Sequence, residues 1–238
     1  MPHPSPESEI PSAAVAVFAR APVPGATKTR LIPRLGSVGA ARLQAALLRR
    51  SVQTALAANL GQVFLWCEPD CKHPVFQECR EEFGVALMQQ QGDDLGARMF
   101  DAFAQLCVHG HVLLMGTDCP ALTAAELRAA AGALIAGADA AFVPAQDGGY
   151  VLVGLSKAVA SLFEGMPWGS SRVMTETRAR LDAAGMRWLE LPASWDIDLP
   201  DDFDRLLKSG LMAGCVEAIA RECNDAGIGE QRMMDASN

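Results

Sequence analysis

The stretch His111–Leu122, HVLLMGTDCPAL, decides how the rest of the chain is read. Four apolar residues, Val112 to Met115, end at Gly116 and Thr117 and deliver one carboxylate, Asp118. A short apolar run between turn signals is the pattern of a strand buried on both faces of a parallel sheet. Cys119-Pro120 then turns the chain into Thr123-Ala124-Ala125-Glu126, a capping-box spacing that opens a helix. Parallel sheets bind ligands in the crevice outside the carboxyl ends of their strands, so Asp118 is expected to face a ligand or a metal.

Working outward, Ala13–Arg20 (AAVAVFAR) reads as a first strand, and Ala21–Leu31 as a loop broken by two prolines and Gly25. Gly39–Asn59 is Ala/Leu-rich and helical, Gln62–Cys67 a strand, Val75–Phe83 a helix and Val85–Gln89 a short strand. Leu95–Val108 carries Leu95, Met99, Phe103 and Leu106 at helical spacing. After the opening stretch come a helix over Ala124–Ala136, strands over Asp139–Pro144 and Tyr150–Leu155, and a helix over Arg172–Ala184 capped by Ser170 or Ser171. A last strand, Trp188–Leu191, precedes an acidic helix start at Asp201-Asp202 and an amphipathic helix over residues 211–227.

Strand and helix alternate through the first 140 residues, which predicts a doubly wound α/β sheet; the weaker alternation after residue 145 predicts a mixed one. The expected architecture is three layers, α/β/α, with a mostly parallel sheet. A single domain is expected over residues 13–228, flanked by a disordered tail over 1–12 and a frayed end over 229–238.

The balance of charge narrows the function. A formal net charge of −8, with 50% hydrophobic residues, argues against a nucleic-acid surface, which needs a basic face. A polyanionic small molecule would have to be held by a few local cations or a metal. The seven cysteines form no CxxC pair and several fall in apolar patterns, as expected of reduced core residues in a cytoplasmic protein. Cys67, Cys71, His73 and Cys79 match no common zinc spacing. No run is long and apolar enough to span a membrane, and Met1–Pro4 does not resemble a signal peptide.

Several segments can carry chemistry, and each has a plainer reading. Gly25, Lys28 and Arg30 follow the first strand and can place backbone N–H groups and cations around phosphate, or form a solvated loop. Asp118 with Asp198, or Asp196, would supply hard oxygen ligands for Mg²⁺ or Mn²⁺; alternatively Asp198 caps the helix beginning near Leu199-Pro200. Asp147-Gly148-Gly149-Tyr150 allows close approach of backbone to a substrate, or simply a hairpin turn. Arg98, after Asp93-Asp94, can meet an anion, although helix capping explains those aspartates equally well. Trp168 can stack on a substrate ring or pack in a loop. No Ser-His-Asp arrangement stands out.

The ordered segments AVAVFARAPVPGATKTRL (14–31), QQGDDLGARM (90–99), GTDCPALT (116–123), DGGYVLVGL (147–155), PWGSSRVMTET (167–177) and DIDLPDDFDRL (196–206) together resemble a bacterial family of GT-A-type glycosyltransferase-like proteins. These are often labelled arsenosugar-biosynthesis glycosyltransferases or nucleotide-diphospho-sugar transferases, and their superfamily includes guanylyl- and cytidylyltransferases. The resemblance implies a nucleotide-sugar or nucleotide substrate with its phosphates near Lys28 and Arg30, and a small-molecule acceptor. It also implies Mg²⁺ or Mn²⁺ at Asp118 and Asp198. Leu199 stands where the related pattern carries Thr, and Phe18-Ala19-Arg20-Ala21 replaces the Gly-rich start of many nucleotidyltransferases. Glycosyl transfer is the expected reaction, with Asp118 and Asp147 as its catalytic carboxylates. Nucleotidyl transfer with pyrophosphate release is the alternative, and nucleotide binding without turnover a further one.

Overall fold

The computed structural model describes residues 13–225; the expected tail over 1–12 and frayed end over 229–238 lie outside them. In chain order the elements are β1 (Ala13–Arg20), α1 (Ile32–Ala58), β2 (Val63–Glu68), α2 (Pro74–Phe83), β3 (Ala86–Gln89), α3 (Leu95–Leu106) and β4 (His111–Met115). There follow α4 (Ala124–Ile135), β5 (Ala140–Pro144), β6 (Tyr150–Leu155), α5 (Val173–Ala183), β7 (Trp188–Glu190), α6 (Pro200–Ser209) and α7 (Ala213–Asp225).

The seven strands form one sheet in the order β3-β2-β1-β4-β6-β5-β7. All pair in parallel except β6, which runs antiparallel to both β4 and β5. The cause is local: only residues 145–149 join β5 to β6, too few for a crossover, so the two must form a hairpin. β6 thereby takes the place beside β4, and the sheet is mixed, as expected.

Alternation along the strands sorts side chains into two layers. Val15, Val17 and Ala19 of β1 face α1, α2 and α4, packing with Leu48, Phe76 and Leu127. Ala16 and Phe18 face α3 and α5, packing with Met99, Phe103, Met174 and Leu181. On β4, Val112 and Leu114 join the second layer and Leu113 and Met115 the first, all 4% exposed or less. Burial of each such side chain contributes about 1.5–3 kcal/mol. A third cluster holds α6 and α7 against the start of α1 through Leu35, Leu43, Phe203, Val216 and Ile219.

Most expected boundaries shift by a residue or two, and three helix starts differ from their reading. The long helix begins at Ile32 rather than Gly39, broken at Gly36, whose φ of 65° lies outside helical space. Neither Ser170 nor Ser171 caps α5, since Arg172 holds that position and Ser170 Oγ donates to Pro167 O (2.8 Å). The start of α6 is served by Asp202, which accepts from the backbone N–H groups of Leu199 (2.7 Å) and Asp198 (3.1 Å), so Asp198 is not the cap. The capping box at Thr123 and Glu126 forms as read. No described helix is long and apolar enough to cross a membrane. Cys215 is exposed, unlike the buried Cys67, Cys79, Cys119 and Cys223.

Candidate active site

Strand order reverses between β1 and β4. From β1 the chain steps outward to β2 and β3, then crosses back to β4 on the other side. The carboxyl ends of β1 and β4 therefore flank a crevice, and neighbouring strands lie about 4.8 Å apart. β5 and β7 run parallel to β4, so the segments after them, Ala145–Gly149 and Leu191–Leu199, reach the same edge. Residues distant in sequence meet in one cleft of about 720 Å³.

Lys28, Arg30, Arg98, Asp118, Asp147, Gly149, Tyr150 and Asp198 of the expected set all line this cleft. Gly25 and Gly148 are not among its lining residues. Gly25 sits one turn before them, and Gly148 packs tightly behind the loop, where a Cβ would lie 2.2 Å from Ser171 O. Trp168 borders a smaller adjoining cavity instead.

At the centre Lys28 Nζ lies 2.8 Å from Asp118 Oδ1, and the Lys28 side chain is only 5% exposed. Lys28 adopts left-handed backbone angles, φ 48° and ψ 42°, a state that costs a non-glycine residue about 1–3 kcal/mol. What holds it is the pair of acceptors its ammonium reaches, Asp118 and the Ile197 carbonyl. Ile197 N–H in turn donates to Asp118 O (2.8 Å), so one buried residue ties together the loops after β1, β4 and β7. Its side chain anchors in the cluster under α6 and α7, leaving Asp196 and Asp198 on the cleft side. Asp198 pairs with Arg30.

Sequence reading passed over two features and left a third undeveloped. First, Gln44 of α1, 2% exposed, donates to Thr117 Oγ1 (3.1 Å), which donates to Asp118 Oδ1 (3.4 Å) and so orients that carboxylate. A lone amide on the apolar face of an Ala/Leu-rich helix was its only sign. Second, Glu68 lies at the carboxyl end of β2, the position that singled out Asp118 on β4. It meets Arg20 Nε (2.8 Å) and Arg98 Nη1 (3.8 Å), so Arg98 is already engaged. Third, Asp196, named above only as an alternative to Asp198, is perturbed: burial, then the negative charge of Asp147 and lesser repulsion from Asp118, push its carboxyl above the ordinary range.

Asp147 commits one oxygen to its own turn, accepting from Gly149 N–H (2.9 Å). The loop is thus a hairpin turn whose Asp147, Gly149 and Tyr150 also line the cleft. Asp94 similarly caps α3, accepting from Ala97 N–H (2.8 Å), while lining the cleft. His73 accepts from Val75 N–H (3.3 Å) and caps α2. Burial of the Tyr150 hydroxyl raises its pKa well beyond the ordinary phenol range.

The donor set suits a hard divalent cation. Asp118, Asp196 and Asp147 gather negative charge at this end, and their repulsion adds to burial, the larger cause, in raising Asp196. Among the described residues no three metal-binding side chains converge on one point. An ion here could be held by only one or two carboxylates, with its remaining positions left to substrate phosphate oxygens and water.

A structure from Desulfovibrio desulfuricans G20, provisionally named a nucleotide-diphospho-sugar transferase, is similar at 28% identity and a TM-score of 0.78, covering 90% of this chain and 95% of that one. A cytidylyltransferase from Leptospira borgpetersenii (14% identity, TM-score 0.55, 92% and 98% covered) shares the fold. So does a CMP:2-keto-3-deoxy-manno-octonic acid synthetase complexed with CTP (14%, 0.53, 85% and 99%). The architecture is that of the nucleotide-diphospho-sugar transferase-like folds. No curated protein matches the sequence. A family model described as an uncharacterized protein conserved in bacteria, DUF2064, matches residues 51–170, half of the chain, and on that match the chain belongs to this family.

Proposed function

We propose that the protein is a metal-dependent transferase that binds a nucleotide sugar in the cleft and passes the glycosyl group to a small acceptor. The observation that carries this reading is the Lys28–Asp118 pair at the point where the strand order reverses, with Arg30 and Asp198 beside it. A cation and a carboxylate held together there are the two partners a metal-bound diphosphate needs. The 28% identical neighbour, named for nucleotide-diphospho-sugar transfer, supports the same reading.

Lys28 and Arg30 each exchange a carboxylate for phosphate oxygens when substrate enters, so the site passes from internally paired to substrate-paired without leaving a buried ammonium alone. Breaking the bond between sugar C1 and the diphosphate leaves negative charge on the departing group, which fixed cations stabilise without reorganising. Mg²⁺ or Mn²⁺ held by Asp118 and Asp198 would add Lewis-acid neutralisation of that charge. Asp147, which lines both the cleft and the cavity beside it, orients the acceptor hydroxyl and takes its proton.

The test is to incubate the protein and Mn²⁺ with sugar nucleotides and, separately, with nucleoside triphosphates plus sugar phosphates. Released nucleoside diphosphate is the expected product. Pyrophosphate would assign nucleotidyl transfer instead, and binding with no product in either panel would leave a nucleotide-binding protein without turnover. Asp118→Asn is expected to weaken metal-dependent nucleotide binding at least tenfold while shifting the melting temperature little, because Asp118 is half exposed. Unchanged calorimetric affinity for metal and nucleotide would refute the metal assignment.

A further inference from the structure

Beside the main cleft lies a second cavity of about 190 Å³ with different chemistry. Its walls are Phe18 of β1, Met99 of α3, Leu114 of β4, Val151 of β6, Trp168 and Val173. Among its lining residues there is no Lys, Arg or His, and the one charged group is Asp147. Gly116, Asp147, Gly149 and Tyr150 line both cavities, so the two are contiguous, with Asp147 at their junction.

The cavity is built rather than incidental. The Tyr150 ring is fixed edge-on between Phe142 (5.5 Å between centroids) and Trp168 (6.3 Å). Trp168 in turn fits against the bare Cα of Gly96, where a Cβ would come within 2.8 Å of Trp168 Nε1. Preformed aromatic walls need little ordering when a ligand enters.

We propose that this cavity is the acceptor subsite, and that it selects an uncharged hydroxyl compound with a compact aromatic or aliphatic body over a phosphorylated one. The inference rests on the transferase reading above. An anionic group entering here would lose its water and meet the negative charge of Asp147, with no basic side chain among the lining residues to pair with it. An apolar body gains from leaving water, and its hydroxyl is left at the mouth beside Asp147. The acceptor oxygen then forms the bond to sugar C1 as the C1–O bond to the diphosphate breaks. The proton passes to Asp147, and the electron pair of the broken bond leaves with the nucleoside diphosphate.

The full chain is titrated with benzyl alcohol and with benzyl phosphate by saturation-transfer NMR. ADP, GDP, CDP and UDP with Mg²⁺ are titrated separately by calorimetry. Benzyl alcohol is expected to bind at least tenfold more tightly than benzyl phosphate. Val173→Phe, which fills the cavity away from the main cleft, is expected to weaken benzyl alcohol at least tenfold and leave nucleotide affinity within twofold. Asp147→Lys, at an exposed position, is expected to reverse the preference toward benzyl phosphate, so the proposal stays testable if Val173→Phe does not fold. Equal or tighter binding of benzyl phosphate by the unaltered protein, no binding of benzyl alcohol, or displacement of benzyl alcohol by free nucleosides would overturn it. Nucleotide binding without benzyl alcohol binding removes this inference alone. Benzyl alcohol binding without any nucleotide binding removes the transferase reading, and with it the acceptor role, while the selectivity of the cavity stands.

Discussion

At the scale of single residues, the cleft is controlled by groups whose partners lie far away in sequence. Lys28 is held in a left-handed conformation by acceptors 90 and 169 residues further on, Asp118 and the Ile197 carbonyl. Asp118 is steered from behind by Gln44 through the Thr117 hydroxyl. One such hydrogen bond is worth about 1 kcal/mol, or roughly a fivefold change in affinity. Gln44→Leu, close in volume and suited to a helix, is therefore expected to weaken Mn²⁺–nucleotide binding about fivefold while the protein stays folded. Calorimetry beside a thermal melt separates the two effects, and unchanged affinity would reduce Gln44 to a packing residue. Asp118 itself was legible from sequence because it ends a buried strand. Gln44 was not, because nothing along a helix says which loop its side chain will meet.

At the scale of elements, the β5–β6 hairpin and the start of α5 hold the Asp147 loop in place. Gly148 combines a φ of +95° with a backbone approach that leaves no room for a Cβ, 2.2 Å from Ser171 O. Gly148→Ala is expected to cost about 2–4 kcal/mol in urea unfolding, from strain and overpacking together, and to displace Asp147. At the sheet edge Arg178 of α5 grips Glu190 of β7 through two hydrogen bonds (2.8 and 2.7 Å). That grip holds the Glu190 carboxyl below its ordinary pKa of 4.5. A carboxylate with a lowered native pKa contributes stability that is complete above the unfolded value and is lost as the pH falls through the native one. Arg178→Met is thus expected to cost about 0.5–1 kcal/mol at pH 7, the pair being partly solvent-screened, and progressively less below pH 4.5. A penalty that does not vary with pH would point to lost packing of the arginine stem instead.

At the scale of the whole molecule, α6 and α7 support the site from outside. Phe203 and Leu206, both 0% exposed, pack with Ile197, the residue whose backbone clips Lys28 and Asp118 together. Phe203→Ala is expected to destabilise the protein by about 3–5 kcal/mol and to weaken nucleotide binding through Ile197, read by urea denaturation and by calorimetry at a temperature where the variant remains folded. If affinity survives the substitution, the clip does not depend on that cluster. The sequence by itself determined the layered α/β class, the strand that leads to Asp118, the capping box behind it and the identity of most charged residues of the cleft, because periodicity, turn chemistry and caps are local. Only the tertiary structure decided that β6 inserts between β4 and β5, that Arg30 rather than a helix end meets Asp198, and that Glu68 and Gln44 belong to the site. It also decided that an apolar cavity with no basic lining residue adjoins the cleft. Those outcomes depend on which strand ends and helix faces come together in space. Pairing and burial between segments tens to more than a hundred residues apart leave no periodic trace along the chain.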